Sequence, residues 1–258
     1  MENKVALITG ASGGIGEAFG HVLAADGHDL VLVARRDQEL HRVKGVITSK
    51  HPVAVHVIAL DLNEAGAVEV LAAEMAGRSL VPAIVINNAG FGLAGPSVEL
   101  SRDEQLQMID LNVRVLTDLT LRFLPAMVAR KSGGVINVAS IAGFMPGPMM
   151  AVYFATKNYV LSFGDALNSE LRGSGVTLTT LCPGTVKTGF QARAGQNERG
   201  STLSAFDVAS QGWAGFKAKR RVVVPGFFNQ IIAYGLRLTP RRISLPLIKQ
   251  VMGGRRAT

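Results

Sequence analysis

The sequence predicts an α/β fold: a doubly wound parallel sheet with helices on both faces, forming one domain with a helical C-terminal extension. Three observations carry this. Short runs of β-branched and aliphatic residues alternate with helix-length segments along most of the chain. The runs are apolar throughout rather than alternating with polar residues, as strands are when both faces are covered. The chain has 258 residues, enough to bury roughly 70–75% of its unfolded surface around one core.

Taken in order, the run KVALIT at 4–9 is a first strand ending in glycine, and 14–26 follows with helical spacing. LVLVA at 30–34 is a second strand, and 37–50 a polar helix with Asp37 as its N-cap. A third strand is expected at 53–60, a helix from Asn63 to Ala76, and a fourth strand, AIVIN, at 83–87. Ser101, with Glu104 three residues on, reads as a capping box. It opens a helix to Arg130 that Pro125 should kink or break. GVINVA at 134–139 is the fifth strand, 151–172 a helix, 176–182 the sixth strand, 204–218 a helix and RVVV at 221–224 a last short strand. Right-handed crossovers between parallel strands give the doubly wound topology. The domain therefore spans 1–224. Residues 225–258 form an apolar, arginine-rich extension, with a helix at 227–238 stopped by Pro240 and a broken helical segment after it.

Composition narrows the function. Hydrophobic residues make up 48% of the chain, which excludes wholesale disorder. Cys182 is the single cysteine, so no intrachain disulfide can form and a reducing compartment suits the protein. No signal-like segment leads the chain and no apolar run approaches membrane-spanning length, so a cytoplasmic location is expected. With 27 Lys and Arg against 19 Asp and Glu, the net charge of +8 points to nucleic acid, anionic lipid or an acidic cofactor. Aromatic residues are only 6%, and no nucleic-acid-binding module is present, which argues against the first. The five histidines (His21, His28, His41, His51, His56) all lie in the first quarter. No Ser-His-Asp order, G-x-S-x-G elbow or zinc-ligand spacing is found, so neither a hydrolase nor a metal site is expected. Cys182, just before Pro183 at a strand end, reads as inert core.

The chemistry begins after the first strand, at Thr9-Gly10-Ala11-Ser12-Gly13-Gly14-Ile15-Gly16. A glycine-rich turn there lets backbone approach a pyrophosphate, and the next helix offers free N–H groups and its positive end. The spacing is G-x-x-x-G-x-G, not the common G-x-G-x-x-G, and on its own it would also suit a tight strand–helix turn. The second strand ends at Arg35-Arg36. In dinucleotide folds this end lies beside the adenosine ribose, where a carboxylate selects NAD and an arginine accommodates the 2′-phosphate of NADP. Two arginines alone would read as the start of a solvated helix; behind a glycine loop they read as a phosphate site. Tyr153 and Lys157 lie four apart on a predicted helix and share a face. A nearby ammonium lowers a phenol's pKa toward the range useful for acid–base catalysis. Ser140, at a strand end, can hydrogen-bond the same reacting oxygen.

With these motifs in order, the chain resembles the classical short-chain dehydrogenase/reductase family, whose fold is Rossmann-type. The glycine motif is Thr9 to Gly16; Asp61 matches an adenine-contacting aspartate; Asn87-Asn88-Ala89-Gly90 matches the segment that steadies the central sheet and touches the cofactor. Asn112, Ser140, Tyr153 and Lys157 match the catalytic tetrad, and Pro183-Gly184-Thr185-Val186-Lys187-Thr188 matches the loop that meets the nicotinamide carboxamide. The resemblance implies an oxidoreductase moving a hydride between NADP(H), less so NAD(H), and a carbonyl or secondary alcohol. Tyr153 would be the general acid/base, Lys157 would also hold the nicotinamide ribose, and Asn112 would position a relay water. The implied cofactor contacts are Gly10, Ser12, Gly13, Gly14, Ile15, Gly16, Arg35, Arg36, Asp61, Leu62, Asn88, Ala89, Gly90, Tyr153, Lys157, Pro183, Gly184, Val186 and Thr188. The basic residue that some NADP-dependent members carry in the glycine motif is replaced here by Gly13.

The substrate is expected to be a hydrophobic ketone, set by residues 141–150, 90–93 and 190 onward. Candidate contacts are Ser140, Ala142, Phe144, Met149, Tyr153 and Phe190, with Met145 and Met150 adding adaptable lining. A non-catalytic NADP-binding regulator on the same fold is the alternative, against which the intact tetrad argues. The family resemblance implies a homodimer or homotetramer. The extension should then pack inside that assembly or over the pocket; the competing expectation is a basic amphipathic helix lying on an anionic membrane.

Overall fold

The computed structural model describes residues 4–195 and 203–253. Its centre is a seven-stranded sheet, all parallel, in the order β3-β2-β1-β4-β5-β6-β7. The strands are β1 (Val5–Thr9), β2 (Asp29–Ala34), β3 (Val55–Ala59), β4 (Ile84–Asn87), β5 (Gly134–Val138), β6 (Thr177–Leu181) and β7 (Val222–Val223). Period-two geometry splits each strand between two cores. Ala6 and Ile8 of β1 join Leu30 and Leu32 of β2 on one face, whereas Leu7, Val31 and Val33 point to the other.

Helices α1 (Gly14–Ala25), α2 (Asp37–Thr48) and α8 (Ala205–Lys217) cover the first face with Phe19, Leu23, Leu40, Ile47, Trp213 and Phe216. Helices α3 (Ala67–Gly77), α5 (Leu116–Arg130) and α6 (Ala151–Glu170) cover the second with Leu71, Met75, Leu119, Met127 and Leu167. The expected doubly wound, Rossmann-like architecture is what forms. The chain order reverses between β1 and β4, and at such a switch point loops part to leave a crevice at the carboxyl ends of the strands.

Several boundaries differ from the sequence reading. Asp37 is the first helical residue of α2 and Arg36 the cap, so the Asp37 carboxylate acts on the helix's positive end rather than capping it. The helix expected from Asn63 starts only at Ala67: Asp61 accepts a hydrogen bond from the Asn63 N–H in a turn, and Gly66, at φ 74°, caps α3. Ser101 caps α4 (Arg102–Ile109) by accepting from the Glu104 N–H. Pro125 sits inside an unbroken α5; it is exposed, so water can reach the carbonyl its missing N–H leaves free. The interruption lies upstream, in a π-helical segment Asp110–Val115 that joins α4 to α5 and contains Asn112. A 3-10 turn Ile141–Phe144 and the short α7 (Phe190–Arg193) were not anticipated.

In the extension, α9 (Phe227–Leu238) falls where expected. α10 (Arg241–Gly253) runs on through Pro246 rather than breaking. Ala233, Ser244 and Ile248 are buried, and Tyr234 meets Phe144 edge-on at 5.6 Å.

Gly16 generates a stability prediction. A Cβ there would collide with the Gly10 carbonyl oxygen, which is main chain and cannot swing away. Gly16→Ala should cost at least about 1–3 kcal/mol through overpacking, read as a lower urea midpoint. Gly45→Ala, with open space around it on exposed α2, should instead gain up to about 1 kcal/mol of helix propensity.

Candidate active site

A cavity of about 1070 Å³ opens at the carboxyl edge of the sheet. Its floor is built by the ends of β1, β4, β5 and β6. Thr9 closes β1, and its hydroxyl accepts from the N–H groups of Asn88 and Ala89, 3.0 Å each, while donating to the Ile86 carbonyl. The Asn88 side chain returns to the carbonyls of Thr9 (3.0 Å) and Gly10 (3.3 Å). A second tie lies deeper: Asn87 donates to Asn137 and to Thr120, both at 2.9 Å, binding β4 to β5 and α5. The glycine loop rests on this frame. Gly10 and Gly14 take φ 66° and 58°, a left-handed geometry that glycine adopts without strain. At Gly10 a Cβ would also press on Asn88 and Ala89.

Around this floor the structure gathers most of the expected residues. Gly10, Ser12, Gly13, Gly14, Ile15, Arg35, Arg36, Asp61, Leu62, Asn88, Ala89 and Gly90 line one side, and Ser140, Ala142, Tyr153, Lys157, Pro183, Gly184, Val186, Thr188 and Phe190 the other. Four expected residues do not line it. Gly16 is a packing glycine beneath the loop. Phe144 is buried against Tyr234. Met149 adopts φ 70° and its carbonyl accepts from the Gly95 N–H, while its neighbours Met145 and Met150 face the cavity.

Asn112 is the fourth. Its side chain is fully buried, donating to the Phe91 carbonyl (2.9 Å) and Thr156 (3.2 Å) and accepting from the Phe91 N–H (3.1 Å). It holds the chain after β4 against α6, and a Cβ on Gly90 would strike its Oδ1. The π segment around it is a kind of helix irregularity often met at functional sites.

Tyr153 and Lys157 are both on α6, 9% and 5% exposed. Lys157 Nζ donates to the Val138 carbonyl at 2.9 Å and lies 5.9 Å from the Tyr153 ring centroid. Burial pulls the ammonium pKa down to about 8 and pushes the Tyr153 phenol up to about 12, against an opposing hydrogen bond from Ser140. The expectation that Lys157 would depress the phenol is not met in this structure: loss of hydration dominates, and the opposing influence is Ser140 rather than the ammonium. Ser140 caps the 3-10 turn, accepting from the Ala142 N–H at 3.1 Å. Asn158 pins that turn to α6 by donating to the carbonyls of Ala142 and Met145. Cys182 is buried behind Lys157, its thiol pushed up to about 12 by burial.

At the other end, Arg36 donates to the Ser12 carbonyl (3.3 Å) and hydroxyl (3.1 Å), and Arg35 pairs with Asp61 at 3.5 Å. Arg36 passes 3.5 Å from where a Gly13 side chain would begin. The residue before α2 thus places a guanidinium beside position 13. Arg193 was missed from the sequence. Its guanidinium lies 4.4 Å over the Phe91 ring and lines the cavity, and its pKa is lowered by burial and then by Arg35. Also missed were Asn229, Ile232, Leu247, Ile248, Val251 and Met252, which bring α9 and α10 into the wall. Only contact across the fold could reveal these, since no motif marks them.

The fold and this crevice define a Rossmann-like α/β protein with its site at the carboxyl edge of a parallel sheet. The chain belongs to the short chain dehydrogenase family, whose model matches residues 4–199. It is 37% identical over 216 residues to sulfoacetaldehyde reductase of Chromohalobacter salexigens, covering 80% of this chain and 85% of that one. Among solved structures it resembles a short-chain dehydrogenase from Sphingobium yanoikuyae in complex with NADPH (30% identity, 90% and 91% covered, TM-score 0.81). It also resembles the bulky-bulky ketone specific alcohol dehydrogenase of Comamonas testosteroni (25% identity, 94% and 99% covered, TM-score 0.79). The family is one of oxidoreductases that act on small molecules.

The Lys157 environment gives a pH prediction. With a folded pKa near 8 and an ordinary value of 10.5, the folded state binds fewer protons than the unfolded state between those limits. Stability should therefore rise with pH from about 8. The window 8–9 isolates Lys157, because Cys182 (9.0 to about 12) and Tyr153 (10.0 to about 12) act oppositely only above it. Melting of wild type should shift upward across that window. In Lys157→Met the rise should vanish and the pH 7 melting temperature should exceed wild type.

Proposed function

We propose that the protein is an NADP(H)-dependent oxidoreductase that interconverts a bulky, apolar ketone and its secondary alcohol. The observation that carries this reading is one cavity with Tyr153, Ser140 and Lys157 at one end and the glycine loop with Arg35 and Arg36 at the other. The residues fit a nicotinamide dinucleotide. Gly13 and Gly14 interpose no side chain between the start of α1 and the cavity, which suits a pyrophosphate. Arg35 and Arg36, with Arg193 near them, suit a 2′-phosphate. Asp61, Leu62, Asn88, Ala89, Gly90, Pro183, Gly184, Val186 and Thr188 would hold the remainder. When bound, this cofactor supplies or accepts the hydride.

The chain's own part is proton handling and positioning. In reduction Tyr153 donates its hydroxyl proton to the carbonyl oxygen; in oxidation it takes the alcohol proton. The phenol is in its acid form at neutral pH, as reduction requires, and burial disfavours the phenolate that donation leaves behind. Ser140 steadies the same oxygen by hydrogen bonding. Lys157, held by the Val138 carbonyl, places positive charge beside the phenol as its proton leaves. Asn112 acts by fixing the chain after β4 against α6.

Around Tyr153 the lining is Met145, Met150, Phe154, Phe190 and Ile248, all uncharged, with Phe190, Tyr153 and Met150 converging over Gly92. This favours an apolar carbonyl compound over a sulfonated one. The relative named for sulfoacetaldehyde and the neighbour named for bulky ketones differ on this point. The apolar side chains near Tyr153 support the latter, and we assign Arg193, over Phe91, to the cofactor rather than to a sulfonate. We also read the extension as part of the same domain and the active form as a homo-oligomer, which light scattering of the purified protein checks directly.

Tyr153→Phe keeps the ring and removes the proton. Turnover with a panel of hydrophobic ketones should fall at least about 10²-fold, with NADPH affinity by titration near wild type. Near-normal turnover in a folded variant would overturn the assignment. Arg35→Asp, alone or with Arg36→Asp, should weaken NADPH far more than NADH, because it removes a phosphate partner and adds like-charge repulsion. A wild-type preference for NADH would contradict this.

A further inference from the structure

Helices α9 and α10 leave an apolar face in solvent. On α9, Phe227, Phe228 and Ile231 follow helical spacing on the side away from the buried Ala233, and the two phenylalanines are 71% and 77% exposed. On α10, Ile243, Leu247 and Val251 form an exposed i, i+4, i+8 row beside buried Ser244 and Ile248. Aromatic and aliphatic side chains grouped in this way mark an interaction surface rather than the scattered apolar residues of ordinary surfaces.

The charged side chains of the extension itself are all of one sign. From residue 225 onward the sequence holds Arg237, Arg241, Arg242, Lys249, Arg255 and Arg256 and no carboxylate side chain; Asp207 is the last. Arg237, Arg241, Arg242 and Lys249 are exposed. A two-fold contact between copies would set one such cluster against another, with no acid in either extension to offset the repulsion. An anionic bilayer satisfies both features: its interface takes the apolar side chains and its phosphates take the arginines. Among the described residues no helix is long and apolar enough to cross a membrane, so the contact would lie along the surface.

We propose that α9 and α10 dock this protein on an anionic lipid surface, with Phe227, Phe228 and Ile231 inserted and Arg237, Arg241 and Arg242 at the headgroups. Leu247 and Val251 belong both to the exposed row and to the cavity wall, so the docking face and the cavity share a rim. An apolar ketone dissolved in lipid then reaches the cavity without crossing bulk water. That entry route rests on the reductase reading above, whereas lipid binding needs no turnover, so the two fail separately.

The test is sedimentation of the full chain with vesicles of phosphatidylcholine alone or mixed with phosphatidylglycerol. Binding is expected only to the mixed vesicles, weakening as salt rises. Arg237→Gln/Arg241→Gln/Arg242→Gln should weaken it on the order of a hundredfold. Phe227→Ser/Phe228→Ser/Ile231→Ser should abolish it, with turnover of a water-soluble ketone and mass by light scattering unchanged. Absent binding, equal binding to both vesicle types, or unchanged binding by both variants would overturn the proposal. So would a fall in mass of the serine variant, which would make the face a contact between copies.

Discussion

The structure turns on the tie between β1 and β4. A parallel sheet that reverses its order leaves two strand ends whose following loops diverge, and their terminal backbone groups need partners at that opening. Thr9 and Asn88 supply them within a few ångströms, using one hydroxyl and one amide to bind both strand ends and the first residue of the glycine loop. The loop can therefore be bare backbone facing the cavity and still be rigid. Gly16 completes the arrangement by letting α1 start directly beneath Gly10.

The second constraint is electrostatic. Tyr153 and Lys157 are nearly removed from water, and burial favours the neutral form of each. Among the described residues the Val138 carbonyl holds the ammonium, while Ser140 eases the phenol. Such a site is held ready at a cost in stability, as preorganised polar groups in low dielectric are. The fold tolerates it because β5 and α6 are fixed independently, by the Asn87–Asn137 bond on one side and by Asn158 on the other.

Positive charge is distributed by role. Arg36 is tethered to the loop through Ser12 and Arg35 to Asp61, so both guanidiniums wait at fixed positions at the rim. Arg193, carried by α7, is stacked on Phe91 and is partly desolvated. The arginines of α9 and α10 stand apart from this group, exposed beside apolar side chains. Positive charge thus stands both at the cavity rim and on the exposed side of α9 and α10.

The sequence by itself determined the sheet, its parallel sense and most of the residues around the crevice. Apolar runs covered on both faces and a glycine turn after β1 are local patterns, and the helix spacing that sets Tyr153 and Lys157 on one side of α6 is local too. Other features depended on tertiary structure. That α5 survives Pro125 depends on solvent reaching one carbonyl. That Asn112 is absorbed in bonds to Phe91 and Thr156 depends on α6 lying beside the π segment. Which methionine faces the cavity depends on the left-handed backbone at Met149. The part played by Arg193 was hidden for the same reason, as was the choice among the places open to α9 and α10 and which of their residues reach the cavity wall. Spacing along a chain reports which neighbours share a face, but what that face meets is fixed only when distant segments pack.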